Sequence, residues 1–192
     1  MCVIAIKPKN KLIDWGILNQ CSLKNPDGSG YAYASQNEVI IRKGFFSNSE
    51  MNDALEMENI NLFESQMMFH FRIATHGEIS SSTCHPFPMS TNLEELSMKH
   101  MKSFAAIAHN GIVPDMNPES KISDTMLYIK DYLAPVGSKI EFPAVRKLIK
   151  HSAQSKLAIL TSNDLYLLGD FIHDDNGWIF SNDRFKKLRY CA

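Results

Sequence analysis

Short apolar runs broken by turn-forming residues alternate along this chain with longer stretches of helical period. Residues 2–7 are an apolar run too brief for a helix and closed by Pro8, which predicts a buried first strand. Asp14 is placed to cap a short helix through about Cys21. The turn-rich run Asn25-Pro26-Asp27-Gly28-Ser29-Gly30 then leads into apolar residues 31–33 and 39–41, the two arms of a predicted hairpin. Ser49 is a candidate cap for a helix over residues 50–58. Residues 66–74 alternate and are rich in β-formers, and residues 104–109 form another apolar strand ending at Asn110-Gly111. Ser123 precedes Asp124, Thr125 and the periodic set Met126, Leu127, Ile129, Tyr132 and Leu133, an N-capped amphipathic helix, and a second helix is predicted from Pro143 to about Ala153. Residues 157–161, 165–171 and 178–180 read as strands joined by Ser162-Asn163-Asp164 and Asp174-Asp175-Asn176-Gly177. The order is mixed α and β with antiparallel hairpins rather than regular βαβ units, an α+β chain.

Composition narrows the picture. At 192 residues, 44% hydrophobic and 21% charged, with no internal repeat or linker, the chain is expected to fold as one domain over residues 1–192. A formal net charge of -1 without a long basic run argues against nucleic acid as a partner. The absence of any long apolar span argues against a membrane. The basic residues Lys7, Lys9 and Lys11 follow the first apolar run rather than precede it, which is not the order of a signal peptide, so a cytoplasmic location is expected. Four cysteines, Cys2, Cys21, Cys84 and Cys191, form no CxxC pair and are each read as individual thiols.

Cys2 becomes the first residue if Met1 is removed. Its α-amine, with a reference pKa of about 7.7–8.0, would then sit on the same residue as a thiol and could take that thiol's proton. The plainer alternative is a small hydrophobe packed in the first strand. Arg72 near a strand end could hold a substrate carboxylate in bidentate fashion, or form a surface ion pair. Asn110 and Gly111 offer a side-chain amide and an unobstructed backbone N–H, the two donors of an oxyanion hole, although Asn-Gly is also a common turn. Asp124 in the first turn of a helix could bind an α-ammonium, or serve the helix end alone. Together these residues describe a site for an α-amino acid with an acyl side chain, which glutamine satisfies.

On these residues the chain resembles the class II glutamine amidotransferases. Met1-Cys2, Asn25-Pro26-Asp27-Gly28-Ser29-Gly30, Arg72-Ile73-Ala74-Thr75-His76-Gly77, Cys84-His85-Pro86-Phe87, Ala108-His109-Asn110-Gly111 and Ser123-Asp124-Thr125 look like that family's landmarks in the family's order. Val3 departs from the pattern, since the family often has glycine after the nucleophile. The His-Pro-Phe step and the segment from Ser162-Asn163-Asp164 to Ser181-Asn182 are most similar to small stand-alone members, including the γ-glutamyl amidohydrolase type. The resemblance implies a four-layer αββα sandwich of the N-terminal-nucleophile hydrolase type, a glutaminase reaction through a Cys2 thioester, and no cofactor. It also implies that Arg72 holds the glutamine carboxylate, Asp124 its α-ammonium, and Asn110 with Gly111 the oxyanion, with Thr75, His76 and Gly77 lining the pocket. A separate synthase partner would take the ammonia.

Two alternatives stay open at this stage: an amidohydrolase for another γ-glutamyl compound, and a catalytically silent glutamine-binding module. A metal site from His70, His76, Cys84, His85 and His109 is not expected, because their spacings match no paired-ligand pattern. His70 and His109, inside apolar strands, are read as satisfied core histidines.

Overall fold

The computed structural model describes residues 1–74, 78–117 and 121–186. Two antiparallel sheets carry the chain. The larger has seven strands, and with β1 at Val3–Lys7, β2 at Ser29–Ser35, β3 at Glu38–Phe45, β4 at Met67–Phe71, β6 at His100–Ser103, β10 at Ile172–His173 and β11 at Ile179–Phe180 its order is β10-β11-β1-β4-β2-β3-β6. The smaller has four, in the order β5 (Phe87–Pro88), β7 (Ala105–Asn110), β8 (Lys156–Thr161) and β9 (Leu165–Leu168).

The period of two along each strand sorts the apolar residues into separate clusters. Val3 and Ala5 of β1 and Met67, Phe69 and Phe71 of β4 pack with Leu18 and Cys21 of helix α1 (Trp15–Lys24) and Met51 and Leu55 of helix α2 (Asn48–Glu56). The alternate residues Ile4, Ile6 and Met68 meet Ala106, Ala108, Ala158 and Leu160 of the smaller sheet. The remaining face of that sheet, Ala105, Ile107, Leu157 and Ile159, packs with Met126, Tyr128, Ile149 and Ala153. The alanines in the middle cluster let the two sheets approach closely.

The helix signals behave as local chemistry requires. Asp14 accepts the Ile17 N–H at 2.9 Å and starts α1. The second helix is capped two residues before the Ser49 expected from sequence: Ser47 accepts the Glu50 N–H at 3.1 Å, and the helix buries Met51 and Leu55, an i, i+4 pair on one face. Ser123 caps α4 (Asp124–Tyr128), which continues through a π-helical turn at Ile129–Leu133 into α5 (Ala134–Val136), and α6 occupies Pro143–Ala153 with proline in its first turn. The strand expected over 165–171 ends at Leu168, before Gly169 at a φ of 108°. Short elements of the middle region, β5, α3 (Leu93–Ser97) and β6, were not expected from the pattern.

Candidate active site

Antiparallel register brings Cys2, Arg72 and Asn110 to one end of the two sheets. β1 pairs with β4 as Val3↔Phe71 and Ile4↔His70, so one further step sets Cys2 opposite Arg72. Both extend the rows of alternate residues that face the smaller sheet, and Asn110 extends the Ala106/Ala108 row facing back. The Cys2 thiol, half-buried, lies 3.6 Å from the Ile73 carbonyl. Burial pushes the thiol pKa up; the Ile73 contact, the amino terminus and the Arg72 guanidinium pull the other way.

Arg72 is 7% exposed, and among the described residues no carboxylate pairs with it, so the surface ion pair is not what the fold builds. One guanidinium nitrogen donates to the Glu78 carbonyl at 3.2 Å. The loop after α1 fixes its backbone: Arg72 N–H donates to Gly28 O at 2.8 Å, Asp27 N–H donates to Arg72 O at 3.0 Å, and the Asp27 carboxylate accepts the Ala74 N–H at 2.8 Å. The Asn-Pro-Asp-Gly run is therefore a clamp on the end of β4, a role that turn propensity alone did not reveal. Gly28, at a φ of 124°, lies against the Cys84 sulfur, where a Cβ would collide.

Asn110 is 4% exposed and donates through Nδ2 to the Ser181 hydroxyl at 2.8 Å, while its Oδ1 is buried without a partner. Ser181 Oγ also accepts the Ile4 N–H at 2.9 Å, and Asn182 Nδ2 donates to the Cys2 carbonyl at 2.8 Å. Gly111 is exposed at a φ of 149°, and a Cβ there would stand 2.6 Å from Ser155 Cβ. Asp124 is not the cap; Ser123 accepts the Met126 N–H at 3.2 Å in that role. The Asp124 carboxylate takes Val113 N–H at 2.8 Å through Oδ2 and Thr125 N–H at 2.7 Å through Oδ1, tying α4 to the segment after β7. Thr75, His76 and Gly77 lie outside the described residues.

Three buried histidines stand behind these groups. His109 is satisfied at both nitrogens, by Thr125 Oγ1 at 2.8 Å and Ser155 Oγ at 2.7 Å. His70 is half-satisfied: Nε2 meets the His109 carbonyl at 3.0 Å, and Nδ1 has no partner. His85 stacks on His70 with centroids 4.2 Å apart and has no partner at either nitrogen. Burial lowers all three pKa values, His109 to about 4 and His70 to about 3, so the cluster is neutral near pH 7. Among the described residues no group of His, Cys, Asp or Glu converges as a metal site, and no helix is long and apolar enough to cross a membrane.

No protein-family model matches the chain, and no curated protein matches it. Solved structures do. One is the glutamine phosphoribosylpyrophosphate amidotransferase from B. subtilis complexed with ADP and GMP, at a TM-score of 0.57 and 15% identity, covering 94% of this chain and 42% of that one. Another, described as the allosteric regulatory enzyme of purine biosynthesis, has a TM-score of 0.53 and 16% identity over 94% of this chain and 41% of that one. At this identity the likeness is one of fold alone: mixed α and β with antiparallel sheets. The chain spans about two-fifths of the length of these neighbours.

Proposed function

We propose that this chain is a class II glutamine amidotransferase domain of the stand-alone type, a four-layer αββα sandwich that hydrolyses the side-chain amide of glutamine through Cys2. The observation that carries the reading is the convergence of Cys2, Arg72 and Asn110 at one end of the facing sheets, where one step beyond the β1–β4 register sets Cys2 opposite Arg72 and Ser181 ties Asn110 to β1. The three hydrophobic clusters, each between a sheet and its neighbour, support the layer order.

Removal of Met1 places a free α-amine on Cys2. That amine takes the thiol proton, and the thiolate attacks the amide carbon of glutamine to form a tetrahedral oxyanion held by Asn110 and the Gly111 N–H. The C–N bond breaks, the proton passes to the nitrogen, and ammonia leaves a Cys2 thioester. Water then attacks the thioester, releasing glutamate and restoring the thiol. Arg72 uses one of its five donors on Glu78, which leaves a fork for the substrate carboxylate. Asp124 receives Thr125 N–H, Thr125 hydroxyl and Val113 N–H, which leaves about one of a carboxylate's four acceptor positions for an α-ammonium. The family resemblance assigns Thr75, His76 and Gly77 to the same pocket. The ammonia passes to a separate synthase, and the protein works in the cytoplasm.

Mass spectrometry of the purified protein after treatment with an electrophilic glutamine analogue, alongside a glutamate-release assay, tests the reading. The expected result is a chain beginning at Cys2, labelled on Cys2, whose Cys2→Ala variant folds but releases no glutamate. Labelling of another cysteine, or turnover by Cys2→Ala, refutes it.

A further inference from the structure

The hydrogens around Ser181 do not add up in the arrangement described above. Its hydroxyl oxygen accepts Ile4 N–H at 2.9 Å and Asn110 Nδ2 at 2.8 Å, which uses both lone pairs, while Asn182 Nδ2 stands 3.5 Å away as a third donor. Its own proton then meets no acceptor among the described residues, while Asn110 Oδ1, the one acceptor within the same side-chain pair, is buried without a donor. A half-turn of the Asn110 carboxamide removes both deficits at once. The Ser181 hydroxyl then donates to Oδ1, still accepts from Ile4, and leaves Asn110 Nδ2 in the place of the orphaned oxygen with both of its N–H groups uncommitted. The terminal torsion of an asparagine is broad and two-fold, so the two orientations are the natural alternatives.

We infer that Ser181 is a positioning residue for the reaction: its hydroxyl, by donating to Oδ1, holds the Asn110 carboxamide with Nδ2 turned toward the oxyanion. The inference rests on the reading of Asn110 as an oxyanion donor. Ser181 suits this role because it cannot move independently of the nucleophile's strand. It is fully buried, its N–H donates to Ile4 O at 2.9 Å, its carbonyl accepts from Lys156 Nζ at 2.5 Å, and the next residue, Asn182, donates to Cys2 O at 2.8 Å. The pair Ser181-Asn182 thus locks Cys2 and Asn110 to one short segment.

A double-mutant cycle on glutamate release tests this, with kcat and KM measured for the processed wild type, Ser181→Ala, Asn110→Ala and the double variant. Loss of an oxyanion donor lowers kcat by about 10²–10³, so Asn110→Ala should fall in that range. Ser181→Ala should lower kcat by roughly tenfold or more with KM little changed. In the Asn110→Ala background, however, it should change kcat by less than about twofold, because a residue acting through Asn110 has nothing left to orient. Ser181→Thr, which keeps the hydroxyl, should recover kcat. Equal factors in both backgrounds, or a Ser181→Ala variant with wild-type kcat, overturn the inference while leaving Asn110 in place. A wild-type kcat for Asn110→Ala overturns the oxyanion reading and this inference with it. Should Ser181→Ala not fold, Ser181→Cys, of similar volume but a weak donor, reads the same cycle.

Discussion

Lys43 offers the sharpest test of the interior electrostatics. Its side chain, 2% exposed, donates to Ser82 O at 2.9 Å and Leu96 O at 2.6 Å, and its nitrogen stands 3.9 Å from the centre of the Phe87 ring. Burial brings its pKa down to about 7. The neutral amine keeps two N–H groups, one for each carbonyl, so deprotonation breaks neither bond. In the unfolded chain lysine titrates near 10.4. Between those values the unfolded state binds a proton that the folded state does not, so stability rises with pH, at about 1.4 kcal/mol per unit. Below pH 7 both states are charged, the cost of the buried ammonium is fully present, and the slope vanishes. Lys43→Met removes the titrating group at similar length. Urea unfolding followed by circular dichroism at pH 7.5, 8.5 and 9.5 should show the stability of wild type minus variant growing by about 2.5 kcal/mol over those two units. Groups that do not feel Lys43, including Lys7, whose pKa burial lowers to about 8, cancel in the difference; the Cys84 thiol does feel its charge, so both proteins carry Cys84→Ala. A difference that is flat, or shrinks as pH rises, shows that the lysine stays charged in the folded protein and refutes the reasoning.

Arg72→Lys and Asp124→Asn should mainly raise KM for glutamine, since each breaks one half of the amino-acid clamp; a purely kcat effect in steady-state kinetics counts against those roles. Gly30→Ala should destabilise by about 1–3 kcal/mol in thermal or urea unfolding, because the new Cβ meets His85 O and stands 2.7 Å from both Arg42 O and Lys43 Cβ. An unchanged midpoint would show that β2 can give way there. Glu58 accepts Tyr31 Oη at 3.0 Å, Tyr33 Oη at 2.7 Å and Arg42 Nε at 2.9 Å. Burial alone would raise its pKa, but the Tyr33 and Tyr31 hydroxyls and Arg42 hold it below the ordinary value. Glu58→Gln should therefore cost about 1–3 kcal/mol at pH 7. The gap to wild type should close as pH falls through the carboxylate range, which acid titration of the two midpoints measures.

Where sequence pattern and structure agree, a strong local rule was at work. Asp14 capping α1 and proline opening α6 are chemistry decided within one turn of helix. Ser47, Asn48 and Ser49 are all competent caps, and the helix starts from the first of them, a choice that the cap rule alone does not make. β6, with its alternately exposed residues, exists because β3 offers an edge to Ile41↔Met101 pairing, and nothing within His100–Ser103 announces that. Among the proposed site residues, Cys2, Arg72 and Asn110 stand out in the sequence because their own side chains would do the chemistry. Ser181 and Asp27 do not, since their work is to hold other residues from 177 and 47 positions away. Asp124 shows the opposite limit: its type and position fitted an ammonium site, yet much of its bonding goes to Val113 and Thr125.

β1 lies between β4 and β11 in the larger sheet, one neighbour made early and the other close to the end of the chain. At about 5–20 residues per second, β11 follows β1 into existence only after roughly ten seconds or more. During that interval β1 belongs to an unfinished sheet, and the Cys2 carbonyl lacks the Asn182 bond that fastens it. The order of synthesis thus leaves the start of β1 unfastened until Asn182 arrives. Loss of the Ile179–Phe180 strand should leave Cys2 without the contact that sets its place.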